Sequence, residues 1–430
     1  METIIALSTP IGRGAVAVVR MSGDDTLSIA KKVFAPFPQH ARVMQYGKVT
    51  VDDFADQAMC VYFSAPHSYT GEDVVELHLH GGVGVCTAVI DKCIEYGARM
   101  AQNGEFSKRA FVNGKQNLTN AEGIIELIEA ENKLQLASGM NLLSNKLGKQ
   151  TIDMQARLTD MLASVEAMLD YPEEQLETED LPSVLNGLMD ISKQLQQLLS
   201  TVKTGRIIKQ GINVVIVGAS NVGKSSLLNC LLGQDRAIVS SQAGTTRDTV
   251  TDSINYKDIT INFVDTAGIR KTRYKLEQEG IRRSQCAINQ ADIILYVVDN
   301  HNTVIPNMDK PTIKVYNKCD LLREDKRGDY VYVSALNGEN IVQLKDIIYD
   351  TLKIGQIDMS NVILTSARHV EVLTRTLNCI KSAIDNSTDN TADCIAQDIK
   401  EAWMTLGEIT GQTSSQDIID RIYSKFCLGK

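Results

Sequence analysis

The sequence predicts a multidomain chain of mixed α+β and α/β class, with an N-terminal α+β domain, a helical-bundle domain, and an α/β domain inserted into the helical one. Three observations predict it. Near the middle, the apolar run Asn213-Val214-Val215-Ile216-Val217 passes through Gly218-Ala219-Ser220-Asn221-Val222-Gly223-Lys224-Ser225 into Ser226-Leu227-Leu228-Asn229-Cys230-Leu231-Leu232, in the order strand, glycine turn, helix. Short strand-like runs fill the first part of the chain. Helical periodicity stands on both sides of the central segment, which makes that segment an insertion whose ends lie close in space.

In the N-terminal part, Thr3–Leu7 and Val16–Arg20 read as strands around the loop Pro10-Ile11-Gly12-Arg13-Gly14, and Ala58–Phe63 and Val74–His80 as two more. Helical patterning begins near Thr119. Leu158, Met161, Leu162, Val165, Met168 and Leu169 recur at i, i+3, i+4, i+7 spacing, and Leu195, Leu198, Leu199 and Val202 repeat it. Such a stripe reads as bundle core rather than as a groove for a partner. Helical character returns after Gly355 and persists to Lys430. The expected domains are 1–118, 119–208, 209–355 and 356–430, the second and last being two parts of one helical domain.

The central turn carries chemistry. A Gly-x4-Gly-Lys-Ser between a strand and a helix lets backbone N–H groups close around phosphate oxygens, and the helix N-terminus adds partial positive charge. Lys224 then reaches the β and γ phosphates, and Ser225 ligates Mg2+. A second strand, Ile261-Asn262-Phe263-Val264, ends in Asp265-Thr266-Ala267-Gly268, where Asp265 holds the Mg2+ shell and the Gly268 amide senses the γ-phosphate. Between the two lies a polar switch loop, Gly244-Thr245-Thr246-Arg247-Asp248, whose Thr246 closes on Mg2+. Thr312-Ile313-Lys314-Val315-Tyr316 leads into Asn317-Lys318-Cys319-Asp320, in which the aspartate accepts from guanine N1–H and the 2-amino group together. Ser334-Ala335-Leu336, after the short strand Tyr330–Val333, supplies the last base-side loop. Four pieces in register predict a Ras-like P-loop G domain that binds GTP through Asn221, Val222, Gly223, Lys224, Ser225, Ser226, Asp265, Thr266, Ala267, Gly268, Asn317, Lys318, Asp320, Ser334 and Ala335.

Hydrolysis needs a group that positions water and a positive charge in the transition state. Ras-like domains place glutamine after Asp-x-x-Gly; here that residue is Ile269, which cannot orient water. Glu277 and Glu279 are the acidic candidates downstream, in a segment that also holds Arg270, Lys271, Arg273 and Lys275, and the residues alone do not choose between them. Asn221 offers an amide oxygen for a monovalent cation beside the β and γ phosphates, in place of an arginine finger.

Composition is that of an ordinary soluble globular protein, 43% hydrophobic and 23% charged, with nothing that reads as a membrane span or a signal peptide. Nine scattered cysteines form no disulfide framework or zinc pattern and fit a reducing, cytoplasmic compartment. A net charge of −9 argues against wholesale polyanion binding but permits a local basic patch such as Lys108, Arg109 and Lys115.

Several further segments are Thr9-Pro10-x-Gly12-Arg13-Gly14, Tyr69-Thr70-Gly71-Glu72-Asp73, His80-Gly81-Gly82, Gly104-Glu105-Phe106-Ser107-x-Arg109-Ala110-Phe111, Ala367-Arg368-His369, Gly407-Glu408-Ile409-Thr410-Gly411 and the terminal Phe426-Cys427-Leu428-Gly429-Lys430. With these, the chain resembles nearly end to end the family of tRNA wobble-uridine modification GTPases called MnmE or TrmE. The resemblance implies an N-terminal domain that binds folate and dimerises, a helical domain, and an inserted TrmE-type G domain. It implies a homodimer that joins an FAD-dependent partner, MnmG (GidA), in a heterotetramer or larger complex acting on tRNA. Together such proteins attach an aminomethyl or carboxymethylaminomethyl group to C5 of the wobble uridine. The carbon comes from a tetrahydrofolate derivative (5,10-methylene- or 5-formyl-tetrahydrofolate), and the nitrogen from ammonium or glycine. GTP binding joins the two G domains around K+, and hydrolysis drives the cycle.

Carried over by position, the folate contacts fall on Arg20, Glu76, Lys115 and Lys430. The K+ ligands fall on Asn221, Ser240, Gln242 and Thr245, the Mg2+ ligands on Ser225 and Thr246, and the GTP site gains Ser240, Ser241, Gln242, Ala243, Gly244, Thr245 and Thr246. The family's water-orienting glutamate lies twelve residues past the switch aspartate, which selects Glu277. Cys427, in the terminal Cys-x-Gly-Lys, is a possible one-carbon site by the family's context alone; by itself it reads as a small apolar residue at a domain interface. Leu428 and Ser220 depart from the family's usual isoleucine and proline, and the stretch from Asp299 to Asn317 is short. His78 and His80 share a strand face but have no third ligand, which favours packing over a metal. A ribosome-assembly GTPase is the rival reading; it requires an appended RNA-binding module, which no segment supplies.

Overall fold

Period-two burial builds the first sheet. Along β2 (Val16–Ser22) the side chains of Ala17, Val19 and Met21 point into the core, while Val18 and Arg20 between them are only half-buried. The computed structural model describes residues 1–52, 54–170, 176–233, 251–265, 287–301, 303–322, 328–352, 355, 357–387 and 392–430, which divide into two units. One unit holds Met1–Glu129, Gly139–Gln196 and Glu371–Lys430; the other holds Ala130–Ser138 and Gln197–Val370.

In the first unit, β1 (Ile4–Leu7), β2, β3 (Phe34–Ala35), β4 (Gln45–Val51), β5 (Phe54–Phe63), β6 (Val74–His80) and β7 (Arg99–Met100) form a seven-stranded sheet in the order β3-β4-β5-β6-β2-β1-β7. Only β1 and β7 pair in parallel. Helices α1 (Thr26–Val33) and α2 (Val83–Glu95) bury Ile29, Val33, Val89, Ile90 and Cys93 in the same core as Val19, Met21, Leu77 and Leu79. The alternate residues of β2 and β6, among them Arg20, Glu76 and His78, stay half-buried on the other register. The four strands expected from the sequence are present, with β5 beginning earlier, at Phe54. Strand β4 and the two-residue β3 and β7 were not anticipated.

The helices of this unit follow: α3 (Glu105–Val112), α4 (Leu118–Glu129), α5 (Lys133–Leu143, whose first half belongs to the other unit), α6 (Lys146–Asp170) and α7 (Leu176–Ser200), which crosses into the second unit at its end. The stripe Leu158, Met161, Val165 and Met168 is buried along α6, with Leu195 and Leu198 buried on α7. In the second unit come α8 (Val202–Gln210), α9 (Lys224–Leu232) and α10 (Ile341–Thr351); α11 (Ala367–Asn386), α12 (Ala392–Gly407) and α13 (Gln416–Tyr423) lie after the central segment. Helices α6 and α12, from opposite sides of that segment, pack along each other, and Gln155 Nε2 donates to the Trp403 carbonyl at 3.1 Å. The helical domain is therefore one body interrupted by the α/β insertion.

The second unit contains β8 (Ile212–Gly218), β9 (Thr251–Tyr256), β10 (Ile259–Asp265), β11 (Ile293–Val298), β12 (Thr312–Tyr316) and β13 (Val331–Tyr332), ordered β13-β12-β11-β8-β10-β9. All neighbours are parallel except β9 and β10. Near-continuous apolar runs such as Ile293-Ile294-Leu295 are what a parallel sheet buried on both faces requires. The insertion's ends meet: the Leu364 amide donates to Thr201 Oγ1 at 3.1 Å. Among the described residues, no helix is long and apolar enough to cross a membrane.

Candidate functional site

In an open parallel sheet, ligands bind beyond the carboxyl ends of the strands. Here β8 ends at Gly218, β10 at Asp265, β11 at Val298, β12 at Tyr316 and β13 at Tyr332, so the nucleotide candidates emerge from one edge of one sheet. Gly218 (φ +151°) passes so close to β11 that a Cβ would lie 2.3 Å from the Val297 carbonyl oxygen. Gly223 takes φ +93° as the residue before α9, and a Cβ there would lie 2.3 Å from Asn317 Nδ2. Neither position admits a side chain, so the loop backbone can approach a phosphate. Ser225 and Ser226 are exposed in the first turn of α9. Lys224 Nζ donates to the carbonyls of Gly218 (3.0 Å) and Ala219 (2.6 Å), which holds its charge over the loop.

The base-side loop is tied to the phosphate loop by one buried amide. Asn317 is 2% exposed; its Nδ2 donates to the Val222 carbonyl at 2.9 Å and its Oδ1 accepts from the Ala335 amide at 3.1 Å. Lys318 Nζ donates to the Asn221 carbonyl (2.9 Å) and to Asp299 Oδ2 (2.7 Å). Ser334 Oγ donates to Asp320 Oδ1 at 2.6 Å and is itself fully buried, which fixes the rotamer of an otherwise exposed carboxylate. The structure thus brings together Asn221, Val222, Gly223, Lys224, Asn317, Lys318, Asp320, Ser334 and Ala335. Asp265 ends β10 opposite Ile216 of β8. Ser240, Ser241, Gln242, Ala243, Gly244, Thr245, Thr246, Thr266, Ala267, Gly268 and Glu277 lie outside the described residues.

A second constellation lies in the first unit. Arg20 on β2 and Glu76 on β6 are register partners, and Arg20 Nε and Nη2 reach Glu76 Oε1 at 2.9 and 2.7 Å. His78 Nε2, 3.5 Å from Glu76 Oε2, together with Arg20 holds the Glu76 carboxyl below the usual carboxylate range, against the opposing effect of burial. The Arg20 guanidinium lies 5.5 Å from the Tyr69 ring centroid and 5.8 Å from that of Phe106, within cation–π range. Tyr69 is fixed in turn by a 2.7 Å hydrogen bond between its hydroxyl and Ser107 Oγ. The C-terminus comes to the same place: the Gly429 carbonyl accepts from Ser8 Oγ (3.1 Å) and Arg20 Nη1 (3.4 Å), and Lys430 follows it, half-buried. Cys427 is exposed. Lys115 stands on the turn after α3, exposed, with its aliphatic chain against Gly71.

The model of the MnmE helical domain matches residues 118–427, and that of the GTP-binding protein TrmE N-terminus matches residues 3–115. The chain belongs to the MnmE family of tRNA modification GTPases. Its relatives include the proteins named tRNA modification GTPase MnmE of Natranaerobius thermophilus (38% identical), Nitrosomonas eutropha (36%) and Lactococcus lactis subsp. lactis (36%). Each alignment covers 100% of this chain and 98–99% of the relative. As a member of the MnmE family the chain is a GTPase. Motif reading missed Asp299, although a carboxylate directly after a buried parallel strand is a signal that could have found it. The support of Arg20 by Tyr69, Phe106 and Ser107 has no local signal, because these residues lie on separate segments that only the fold brings together.

Proposed function

We propose that this chain is a K+-dependent GTP hydrolase that, with an FAD-dependent partner of the MnmG (GidA) kind, adds an aminomethyl or carboxymethylaminomethyl group to C5 of the wobble uridine of tRNA. The observation that carries the reading is the Asn317 bridge, which joins a phosphate-binding loop to a guanine-reading loop through one buried side chain. Membership of the MnmE family supports tRNA as the substrate.

The residues present fit the groups the reading needs. Gly223 leaves no room for a Cβ beside Asn317, and the start of α9 offers backbone N–H groups and the Ser225 hydroxyl to phosphate and Mg2+, with Thr246 as second Mg2+ ligand. Lys224 donates to the β and γ phosphates, and Asp320, oriented by Ser334, accepts from the guanine edge. Asn221, held with φ +66°, presents its amide oxygen for K+, along with Ser240, Gln242 and Thr245. Glu277 orients the attacking water and takes its proton. Two G domains of a homodimer close around these groups.

In the first unit, Arg20, Lys115 and Lys430 suit the carboxylates of a tetrahydrofolate glutamate tail, and Glu76 suits pterin N–H donors. On that face Arg20, bonded to Glu76 and lying beside the Tyr69 and Phe106 rings, sets a fixed cation next to a carboxylate that His78 and Arg20 keep charged. When bound, the 5,10-methylene or 5-formyl derivative would supply the one-carbon unit; the chain's part is to bind and orient it, with the exposed thiol of Cys427 proposed as the one-carbon site. The proposed domain limits are 1–118, 119–208, 209–355 and 356–430, and the proposed compartment is the cytoplasm.

GTP turnover by the full chain in K+ against Na+, for wild type and Glu277→Ala, tests this. Faster turnover in K+ and its loss in the variant are expected. Equal rates in both salts with an active Glu277→Ala would overturn the mechanism.

A further inference from the structure

The carboxylate of Asp299 belongs to none of the nucleotide motifs, yet it sits at the edge of the sheet where all of them converge. It is the residue after β11, whose last residue, Val298, is buried. Its Oδ2 accepts from Lys318 Nζ at 2.7 Å, and its own backbone carbonyl accepts from the Tyr316 hydroxyl at 3.1 Å. Asn300 Nδ2 donates to the other carboxylate oxygen at 3.3 Å. The side chains of Asp299 and Lys318 are 28% and 39% exposed, so the pair is only partly screened. The Lys318 ammonium, by that bond, holds the Asp299 carboxyl below the usual carboxylate range.

An exposed ion pair is usually worth little. This one differs in its third member: the same Lys318 ammonium donates to the Asn221 carbonyl at 2.9 Å. Lys318 and Asn221 both hold left-handed backbone, φ +62° and +66°; asparagine tolerates that region, but a lysine adopts it only where the surroundings impose it. A lysine has three donors on a flexible stem and no preferred direction of its own. With one donor fixed on Asp299, a second is aimed at the phosphate loop rather than at solvent.

We infer that Asp299 is a positioning residue of the nucleotide site: it holds Lys318 on the Asn221 carbonyl and so latches the guanine-reading loop to the phosphate loop. This rests on the reading of the site as a GTP site. Asp299 reads no base itself; that task stays with Asp320. Its removal therefore loosens every guanine nucleotide alike, through Lys318.

The test uses the full chain and a fluorescent guanine nucleotide, with dissociation followed by stopped flow for wild type, Asp299→Asn, Asp299→Glu, Lys318→Met and the Asp299→Asn/Lys318→Met double variant. Loss of a charge-assisted hydrogen bond predicts about tenfold faster dissociation for Asp299→Asn. KM for GTP rises while kcat changes less than about twofold, because the bond is the same in ground and transition states. Asp299→Glu recovers part of the loss, and the double variant dissociates no faster than Lys318→Met. Wild-type rates in Asp299→Asn, or effects that add in the double variant, would overturn the inference while leaving the GTP reading intact. A wild-type chain that fails to retain the nucleotide would sink the GTP reading and the inference with it.

Discussion

The Leu364 amide donates to the hydroxyl oxygen of Thr201, so two residues 163 positions apart in the sequence close the neck of the inserted unit. Gly205, one turn further along α8, packs against the same strap: an added Cβ would lie 1.8 Å from the Leu364 oxygen and 2.5 Å from its carbonyl carbon. Both obstacles are backbone atoms, which cannot rotate away. The neck is narrow because residue 205 has no side chain.

Gly205→Ala should therefore destabilise the inserted unit, by about 1–3 kcal/mol as for other overpacked sites. Trp403, the single tryptophan, lies on α12 in the other unit and reports on that unit alone. Calorimetry should show the transition of the nucleotide unit moving down in temperature, with the Trp403 fluorescence transition unmoved. An unchanged calorimetric trace would mean that the neck relaxes freely.

Asn317→Ala removes the amide that spans the two loops and leaves the Val222 carbonyl and the Ala335 amide without their partner. Each buried group so orphaned costs about 1–3 kcal/mol. Guanine-nucleotide affinity should fall by at least about tenfold, measured by equilibrium titration with a fluorescent analogue. Retention of wild-type affinity would show that the loops hold their spacing without the bridge.

How much of this was legible in the sequence depends on the distance over which each feature is decided. Strands β1, β2, β5 and β6 and the phosphate loop are set by local pattern and could be read directly. Strand β4 also alternates, with Gly47, Val49 and Val51 buried, but Lys48 and Gln45 disguise it as a polar loop. The two-residue β3 and β7 exist only because β4 and β1 offer them hydrogen bonds, so no local window contains them. The same holds for the candidate sites. Asn317, Lys318 and Asp320 announce themselves by spacing, whereas Asp299 meets Lys318 only once β11 and β12 lie side by side. The approach of Gly429 to Arg20 spans 409 residues and was reachable only through the family resemblance.

Acid should weaken the first unit through Glu105. Burial alone raises its pKa, but bonds from Arg99 (2.7 and 3.0 Å), the Gln102 amide (2.9 Å) and Arg109 (3.2 Å) bring it down to about 2. The folded value lies below the unfolded one, so the stabilisation is complete above about pH 4.3 and is lost as pH falls toward the folded value. The shift corresponds to at most about 3 kcal/mol. Urea midpoints between neutral and acid pH should therefore fall more steeply for wild type than for Glu105→Gln. Parallel profiles would assign the acid sensitivity to other carboxylates.

The terminal glycine separates a structural tail from a functional one. Gly429 has φ +92°, and a Cβ there would lie 2.3 Å from the Leu7 carbonyl oxygen and 2.8 Å from Ser8 Cα. Gly429→Ala must push the tail off β1 and break the bonds from Ser8 and Arg20 to its carbonyl. The Arg20–Glu76 pair is fixed by the β2–β6 register and survives, so melting temperature should change little. If the tail only covers the sheet, that is the whole effect. If it completes a folate site, as proposed, displacing Lys430 should weaken binding of 5-formyltetrahydrofolate at least about tenfold, since a charge-assisted contact to the ligand is lost. Calorimetric titration of the full-length variant decides between the two, because wild-type affinity with a displaced tail would remove Lys430 from the site while leaving Arg20 and Glu76 in it.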